Sequence, residues 1–485
     1  MLFNSYEFIF AFLPITLIGY FALNHFNKNS VAKAWLVFCS LFFYGYFNFS
    51  YLWIIITSIV VNYLISQYFE KSKSEKVILR RVLFGLGLTL NIGLLFFYKY
   101  LDFVFDCFGN LFNSDPIYMG LILPLGISFF TFQQVSYLVD SYRRKAKPYN
   151  ILDYSLFVTF FPQLIAGPIV LHSEVIPQFE NKKNLRFNAD NFAKGLYAFS
   201  RGLAKKVILA DNFGKIVTFG YGNIANLSSF EAVLTVLAYT FQIYFDFSGY
   251  CDMASGIAYM FNIELPINFN SPYKARNISD FWKRWHITLT RFLTNYVYFP
   301  LGGSRCGKFR TCLNILIVFL VSGIWHGAGF TFILWGLMHG VAQVIYRLLR
   351  KWIDKVPYGI TWLITFIFVN LAWVYFRAET ITDANNVISH IFNGGFTLNN
   401  EITETLLNII PISIVTNVLS FNGILNILMI GIMLGATAVC LFTKNVQENT
   451  RLFKPKMSNL LTSGLLMVWS ILSLSGVSTF LYFNF

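Results

Sequence analysis

The sequence predicts an all-α, polytopic integral membrane protein, and three observations lead there. Of 485 residues only 12 % are charged, about half the share of a soluble globular domain. Hydrophobic residues make up 56 % and aromatics 19 %, with a mean hydropathy of +0.57. The apolar residues fall in continuous runs rich in Leu, Ile and Phe, whereas strands of a membrane barrel would alternate polar and apolar positions. A water-soluble enzyme is excluded, because too few polar groups exist to coat its surface. The net charge of +14 sits in short clusters between apolar runs, so it predicts a positive-inside membrane protein and no nucleic-acid partner.

A membrane-crossing helix needs about 20 mostly apolar residues. Windows of that kind lie near 6–24, 32–48, 51–69, 82–104, 119–139, 229–247, 311–330, 332–348, 359–376, 421–443 and 460–481, about eleven in all. The first has no Lys or Arg before it and no small-residue cleavage signature after it, so it reads as a retained span and not as a signal peptide. Lys71, Lys73, Lys76, Arg80 and Arg81 mark the 70–82 loop as cytoplasmic. So do Arg143, Arg144, Lys145 and Lys147 in 140–149, and Arg347, Arg350, Lys351 and Lys355 in 347–355. The stretch 105–118 carries Asp106 and Asp115, and 378–443 carries Glu379, Asp383, Glu401 and Glu404, both without Lys or Arg; these face outward. Counting crossings places both termini outside.

The run 156–171 then has both ends on the cytoplasmic side. Pro162, Gly167 and Pro168 would break a spanning helix, so it is read as re-entrant, beside protein or a water-filled funnel. The stretch 265–303 mixes apolar residues with Lys274, Arg276, Asp280, Lys283, Arg284 and Arg291. It reads as helices at or partly inside the cytoplasmic face. No internal repeat is visible, so residues 1–485 are expected to form one integral domain with a core at about 120–350. The six cysteines show neither a CxxC pair nor a metal-ligand spacing, and no metal site is expected.

Ionisable residues inside membrane helices are costly and therefore candidates for function. His326 stands in LVSGIWHGAGFTFILWGLMHG, after Trp325 and among Gly323, Gly327 and Gly329, which leave room for a chain or ligand. A neutral imidazole there can take a proton from a hydroxyl; the alternative is a buried histidine bonded to a backbone carbonyl. His339 would lie about 220° around a continuous helix from His326, which favours a packing role. His286 follows Arg284 and Trp285 in NISDFWKRWHITLTRF, either an interfacial segment or a second polar group at a reaction centre. In QIYFDFSGYCDMASG, Asp246, Ser248 and Asp252 are expected to pair with arginines, with 276–291 as the source, or to cap a broken helix. GGSRCGKF at 302–309 is no phosphate loop, since Phe309 stands where Ser or Thr is needed. No GxSxG elbow and no Cys with an evident His partner point to an acyl-enzyme.

Taken together, LPLGISFFTFQQVSYLVDSYR at 123–143, FVTFFPQLIAGPI at 157–169, GLAKKVILAD at 202–211, QIYFDFSGYCDMASGIA at 242–258, the segment 265–303 containing RWH, and WHGAGFTFILWGLMHG at 325–340 resemble the membrane-bound O-acyltransferase (MBOAT) family. The likeness is to its bacterial alginate O-acetyltransferase branch. The resemblance implies a ring of helices around a funnel, with His326 as the essential histidine and His286 as the second polar position. Beside these two, Trp325, Trp285, Asp246, Ser248, Arg284 and His339 are read from the sequence as substrate-channel or supporting residues. It implies no permanently bound cofactor, but a cytoplasmic thioester donor, acetyl-CoA or an acylated carrier protein. It also implies a bacterial cytoplasmic-membrane location and an extracytoplasmic partner, of SGNH or alginate-acetylation type, that passes the acyl group to a polysaccharide or cell-wall polymer. Export of D-alanine to teichoic acids is the sister reading, and a proton-coupled transporter or flippase the reading from another class; the latter should show repeat-related broken helices, which are not visible.

Overall fold

The computed structural model describes residues 1–71, 77–115, 118–395, 422–474 and 480–481. All regular elements among them are helical. A π-helical turn, Phe8–Phe12, leads into α1 (Leu13–His25); α2 (Asn29–Gly45), α3 (Leu52–Lys71), α4 (Val77–Lys99) and α5 (Leu101–Phe112) follow, then α6 (Ile127–Tyr142). Short helices α7 (Ile151–Thr159), α8 (Phe161–Leu164) and α9 (His172–Glu180) precede α10 (Ala189–Ala204), a π-helical segment Lys205–Ala210, and α11 (Asp211–Gly222). Then come α12 (Ser229–Met260), α13 (Ile278–Trp282), α14 (Ile287–Leu293), α15 (Lys308–His326), α16 (Phe330–Ile353), α17 (Tyr358–Arg377) and α18 (Ile381–Asn393). The last three are α19 (Asn422–Phe442), α20 (Val446–Arg451) and α21 (Met457–Leu472).

Six segments are long and apolar enough to cross a membrane: Phe8–His25, Phe49–Lys71, Val77–Lys99, Lys308–His326, Phe330–Ile353 and Tyr358–Arg377. The count of about eleven is not confirmed among the described residues. Two expected windows behave differently for identifiable reasons. The 82–104 run is two helices, broken at Tyr100. The 119–139 run becomes helical only at Ile127, after Pro124 and a left-handed Gly126 (φ 72°). Glu401 and Glu404 lie outside the described residues.

The central element is α12. Ser228 and Glu231 form a reciprocal cap at its start, and the helix continues for 32 residues, about 48 Å at 1.5 Å per residue. It is buried on nearly every side, as expected of a helix apolar all round. Such a helix can carry Asp246 and Asp252 only if other chain segments neutralise them. Lys206 Nζ lies 2.6 Å from Asp246 Oδ1 and 2.9 Å from Asp211, and Lys205 Nζ lies 2.7 Å from Asp252. The partners are therefore lysines of the π-helical turn, not arginines of 276–291, and the helix continues where a break was expected.

The segment read from the sequence as re-entrant folds as two short helices, α7 and α8, in place of one spanning helix. Phe160, with ψ 107°, breaks the two apart, and residues 156–170 are buried. The 265–303 stretch is also largely internal: Trp285 is 1 % and His286 0 % exposed. At one end of the bundle, the Arg80 guanidinium donates to Phe69 O (3.1 Å) and Tyr142 O (2.8 Å). It thereby satisfies carbonyls at the ends of α3 and α6 that lack helical partners. That places the C-terminal ends of α3 and α6 side by side.

Helices α15 and α16 are antiparallel and unusually close. A Cβ on Gly323 would stand 2.4 Å from Phe332 O, and one on Gly336 2.4 Å from Phe319 O. The room that Gly323 leaves is filled by α16 and not by a ligand. Gly323→Val should force the helices apart and cost about 1–3 kcal/mol, seen as a lower melting temperature in detergent; an unchanged melting temperature would contradict this packing.

Candidate active site

His326 is the last residue of α15. Its Nδ1 lies 2.6 Å from Ser322 O. A carbonyl only accepts, so Nδ1 carries the hydrogen and the imidazole's lone pair is on Nε2. The ring is walled by Trp325 (centroids 4.9 Å), Trp335 (4.9 Å) and Phe376 (5.4 Å) and is 2 % exposed. The backbone-carbonyl bond expected of a buried histidine is thus present through Nδ1, and it leaves the basic lone pair on the other ring nitrogen.

A cavity of about 30 Å³ reaches the ring, room for a water or two. Lys99, Leu123–Phe129, Ile165, Trp325 and His326 line it. It lies at the C-terminal end of α4 and the N-terminal end of α6, opposite the ends that Arg80 joins. Gly126 is required here: its φ is positive, and a Cβ would meet Leu164 O at 2.9 Å. The loop before α6 therefore rests directly on the end of α8.

His286 is brought to His326, with ring centroids 6.5 Å apart. It precedes α14 in a left-handed conformation (φ 44°, ψ 53°), uncommon for a residue with a Cβ and costing of order 1–3 kcal/mol. Its Nδ1 lies 3.1 Å from Asn268 Oδ1, which also accepts from Thr288 N and Thr288 Oγ1. Accepting from a backbone N–H identifies that atom as oxygen, so His286 Nδ1 also donates. Two imidazoles are thus held in the same tautomer, each with Nε2 as the basic nitrogen.

The remaining sequence candidates separate. Trp325 lines the cavity. His339 does not share a continuous helix with His326, because the chain is extended at Gly327 and Gly329. Instead it lies behind Trp335 (4.9 Å), its Nδ1 accepting from Trp282 Nε1 at 3.3 Å. Trp285 packs on Trp373 (4.9 Å) and Phe281. Asp246 and Ser248 face Lys206 and Lys205, and Arg284 pairs with Asp280 at 2.9 Å. Among the described residues no group of three or more His, Cys, Asp and Glu could hold a metal ion.

One residue at the cavity has no counterpart in the sequence reading. Lys99 Nζ lies 2.6 Å from Trp325 O and 2.9 Å from His326 O, and the Tyr100 hydroxyl donates to Ile324 O at 2.8 Å. The signal was available, since Lys99 is a cation inside an apolar run.

Residues 17–381 match the membrane-bound O-acyltransferase family. The chain is 48 % identical over 418 residues to a peptidoglycan O-acetyltransferase of Helicobacter pylori, covering 80 % of this chain and 79 % of that protein. It is 35 % identical over 401 residues to a probable alginate O-acetylase of Pseudomonas aeruginosa (81 % and 75 % covered). It is 29 % identical over 246 residues to a teichoic acid D-alanyltransferase of Bacillus subtilis (49 % and 62 % covered). The family match takes in the helix break that carries His326, the turn that carries His286 and the apolar spans that enclose them. The chain belongs to the membrane-bound O-acyltransferase family and is a membrane O-acyltransferase.

Proposed function

We propose that this protein moves an acyl group, acetyl in the first instance, from a cytoplasmic thioester, acetyl-CoA or an acylated carrier protein, to an extracytoplasmic polysaccharide or cell-wall polymer. The observation that carries the reading is the pair of imidazoles 6.5 Å apart, with His326 bordering a small cavity in an aromatic, water-poor setting. His326 Nε2 removes the proton of the attacking hydroxyl, whose oxygen forms the new bond to the thioester carbonyl carbon. Collapse of the tetrahedral species breaks the C–S bond, and the departing thiolate takes the proton from the imidazolium. His286 orients the reacting groups. Trp325 shapes the cavity; Trp285 and His339 support the ring stack, and Asp246, Ser248 and Arg284 brace the scaffold around it.

The broader coverage of the acetyltransferase relatives, about four-fifths of the chain against half for the D-alanyltransferase, supports acetyl over D-alanyl transfer. The acceptor hydroxyl belongs to the polymer or to a secreted partner docked on the acidic outer face. The protein resides in the bacterial cytoplasmic membrane with its basic loops inward and both termini outward.

The test is transfer in sealed, oriented vesicles, with radiolabelled acetyl-CoA supplied on the side of the 70–82 loop and peptidoglycan fragments on the other. Label is expected on the fragments once the secreted partner is added. Transport of an intact substrate without any acyl transfer would sink the proposal.

A further inference from the structure

The catalytic base stands at the C-terminal end of α15, which is the unfavourable end for the reaction proposed above. The exposed carbonyls of a helix C-terminus carry partial negative charge. A tetrahedral oxyanion forming beside Ile324, Trp325 and His326 would be repelled by them. Something in the cavity wall must reverse the sign of that field, and among the residues lining the cavity the one lysine or arginine is Lys99.

Its placement suits that task. An ammonium has three N–H donors. Two of them meet Trp325 O and His326 O, and Nζ lies 5.8 Å from the centre of the Trp325 ring. Because Lys99 lines the cavity, the third donor is left for whatever occupies it. Two further buried donors belong to residues of the same wall and lack a hydrogen-bond partner in the structure: Ser128 Oγ and Trp325 Nε1. Leaving such groups unsatisfied is costly, and a transient anionic oxygen would satisfy them.

We infer that Lys99, assisted by the Ser128 hydroxyl and the Trp325 indole N–H, forms the oxyanion hole of this acyltransferase. The inference rests on the acyl-transfer reading. In the balanced step, the hydroxyl proton passes to His326 Nε2 and the C–O bond forms. The thioester carbonyl oxygen gains negative charge and accepts from Lys99, and on collapse it returns to a carbonyl as the thiolate leaves. Lys99 donates a hydrogen bond in this step and transfers no proton. Donors aimed at the charge that develops in the transition state raise kcat without tightening substrate binding.

The experiment uses the full chain in proteoliposomes with labelled acetyl-CoA, peptidoglycan fragments and the secreted partner of the vesicle assay above, comparing wild type with Lys99→Met, Lys99→Gln and Lys99→Arg. Loss of one such donor costs about 10²–10³ in kcat. Lys99→Met should fall by that factor, with KM for both substrates within about twofold and the melting temperature within a few degrees. Lys99→Arg should recover at least a tenth of the activity. Lys99→Gln decides the case if the Met variant does not fold, because it retains two donors for the carbonyls but has neither the third nor the charge. It should lose at least tenfold in kcat. A rise in KM for the acceptor with kcat intact would make Lys99 an acceptor anchor and overturn the proposal, as would full turnover by Lys99→Gln. Absence of transfer by the wild type would instead overturn the acyl-transfer reading itself.

Discussion

His326→Ala is expected to fold and insert normally and to lose acyl transfer by about 10²–10⁴, the range that a positioned general base supplies. The structure separates the two effects. The substitution removes no backbone partner of α15, because the Ser322 carbonyl that holds Nδ1 (2.6 Å) belongs to the same helical turn. The carbonyl ends of the helix stay bonded to Lys99 and Tyr100. What disappears is the one group at the cavity whose Nε2 can take a proton, in a site where bulk water offers no substitute. A control, His326→Gln, keeps similar volume and a hydrogen-bonding side chain without a basic nitrogen and should be just as inactive. The measurement is labelled acetyl transfer per folded protein, with folding read from detergent melting. More than about a tenth of wild-type turnover in either variant would remove His326 from the base role.

The membrane fold was legible because apolar length is a direct demand of the bilayer, and six of the sequence windows correspond to helices long and apolar enough to span it. The absence of a continuous helix over 156–171 was legible through Pro162, Gly167 and Pro168, since backbone chemistry alone disfavours one there. Helix ends were not legible. Tyr100 breaks α4 from α5 without Gly or Pro, and α12 runs past Asp246 because Lys206 neutralises it from a distant part of the chain. Neither cause is local. The angular offset expected between His326 and His339 holds only on a continuous helix, and Gly327 and Gly329 end that continuity. Lys99 escaped for a related reason: a single cation near the end of an apolar window resembles a snorkelling lysine. Only the packing of α4 against the end of α15 shows that its amine turns inward.

His286→Ala is expected to lower kcat by about 10² while His286→Asn retains a measurable part of the activity, and the backbone explains why both variants are needed. His286 holds φ 44°, a region that Asn tolerates better than most residues and Ala does not. An alanine therefore loses the ring and also weakens the turn that aims α14. Asparagine keeps the turn and a polar side chain able to reach toward Asn268, but it cannot be protonated. If the role of His286 is to orient groups near His326 from 6.5 Å away, asparagine should raise KM moderately and leave a fraction of kcat. If the ring itself carries a proton, asparagine should be as inactive as alanine with an unchanged melting temperature. Orientation is the expected outcome, because Nδ1 is committed to Asn268 Oδ1, an atom already shared with Thr288 N and Thr288 Oγ1. That three-way anchor fixes the imidazole in place, which is what positioning a reactant requires. Normal turnover by His286→Ala would contradict either role and reduce the residue to packing between Phe247 and Trp325.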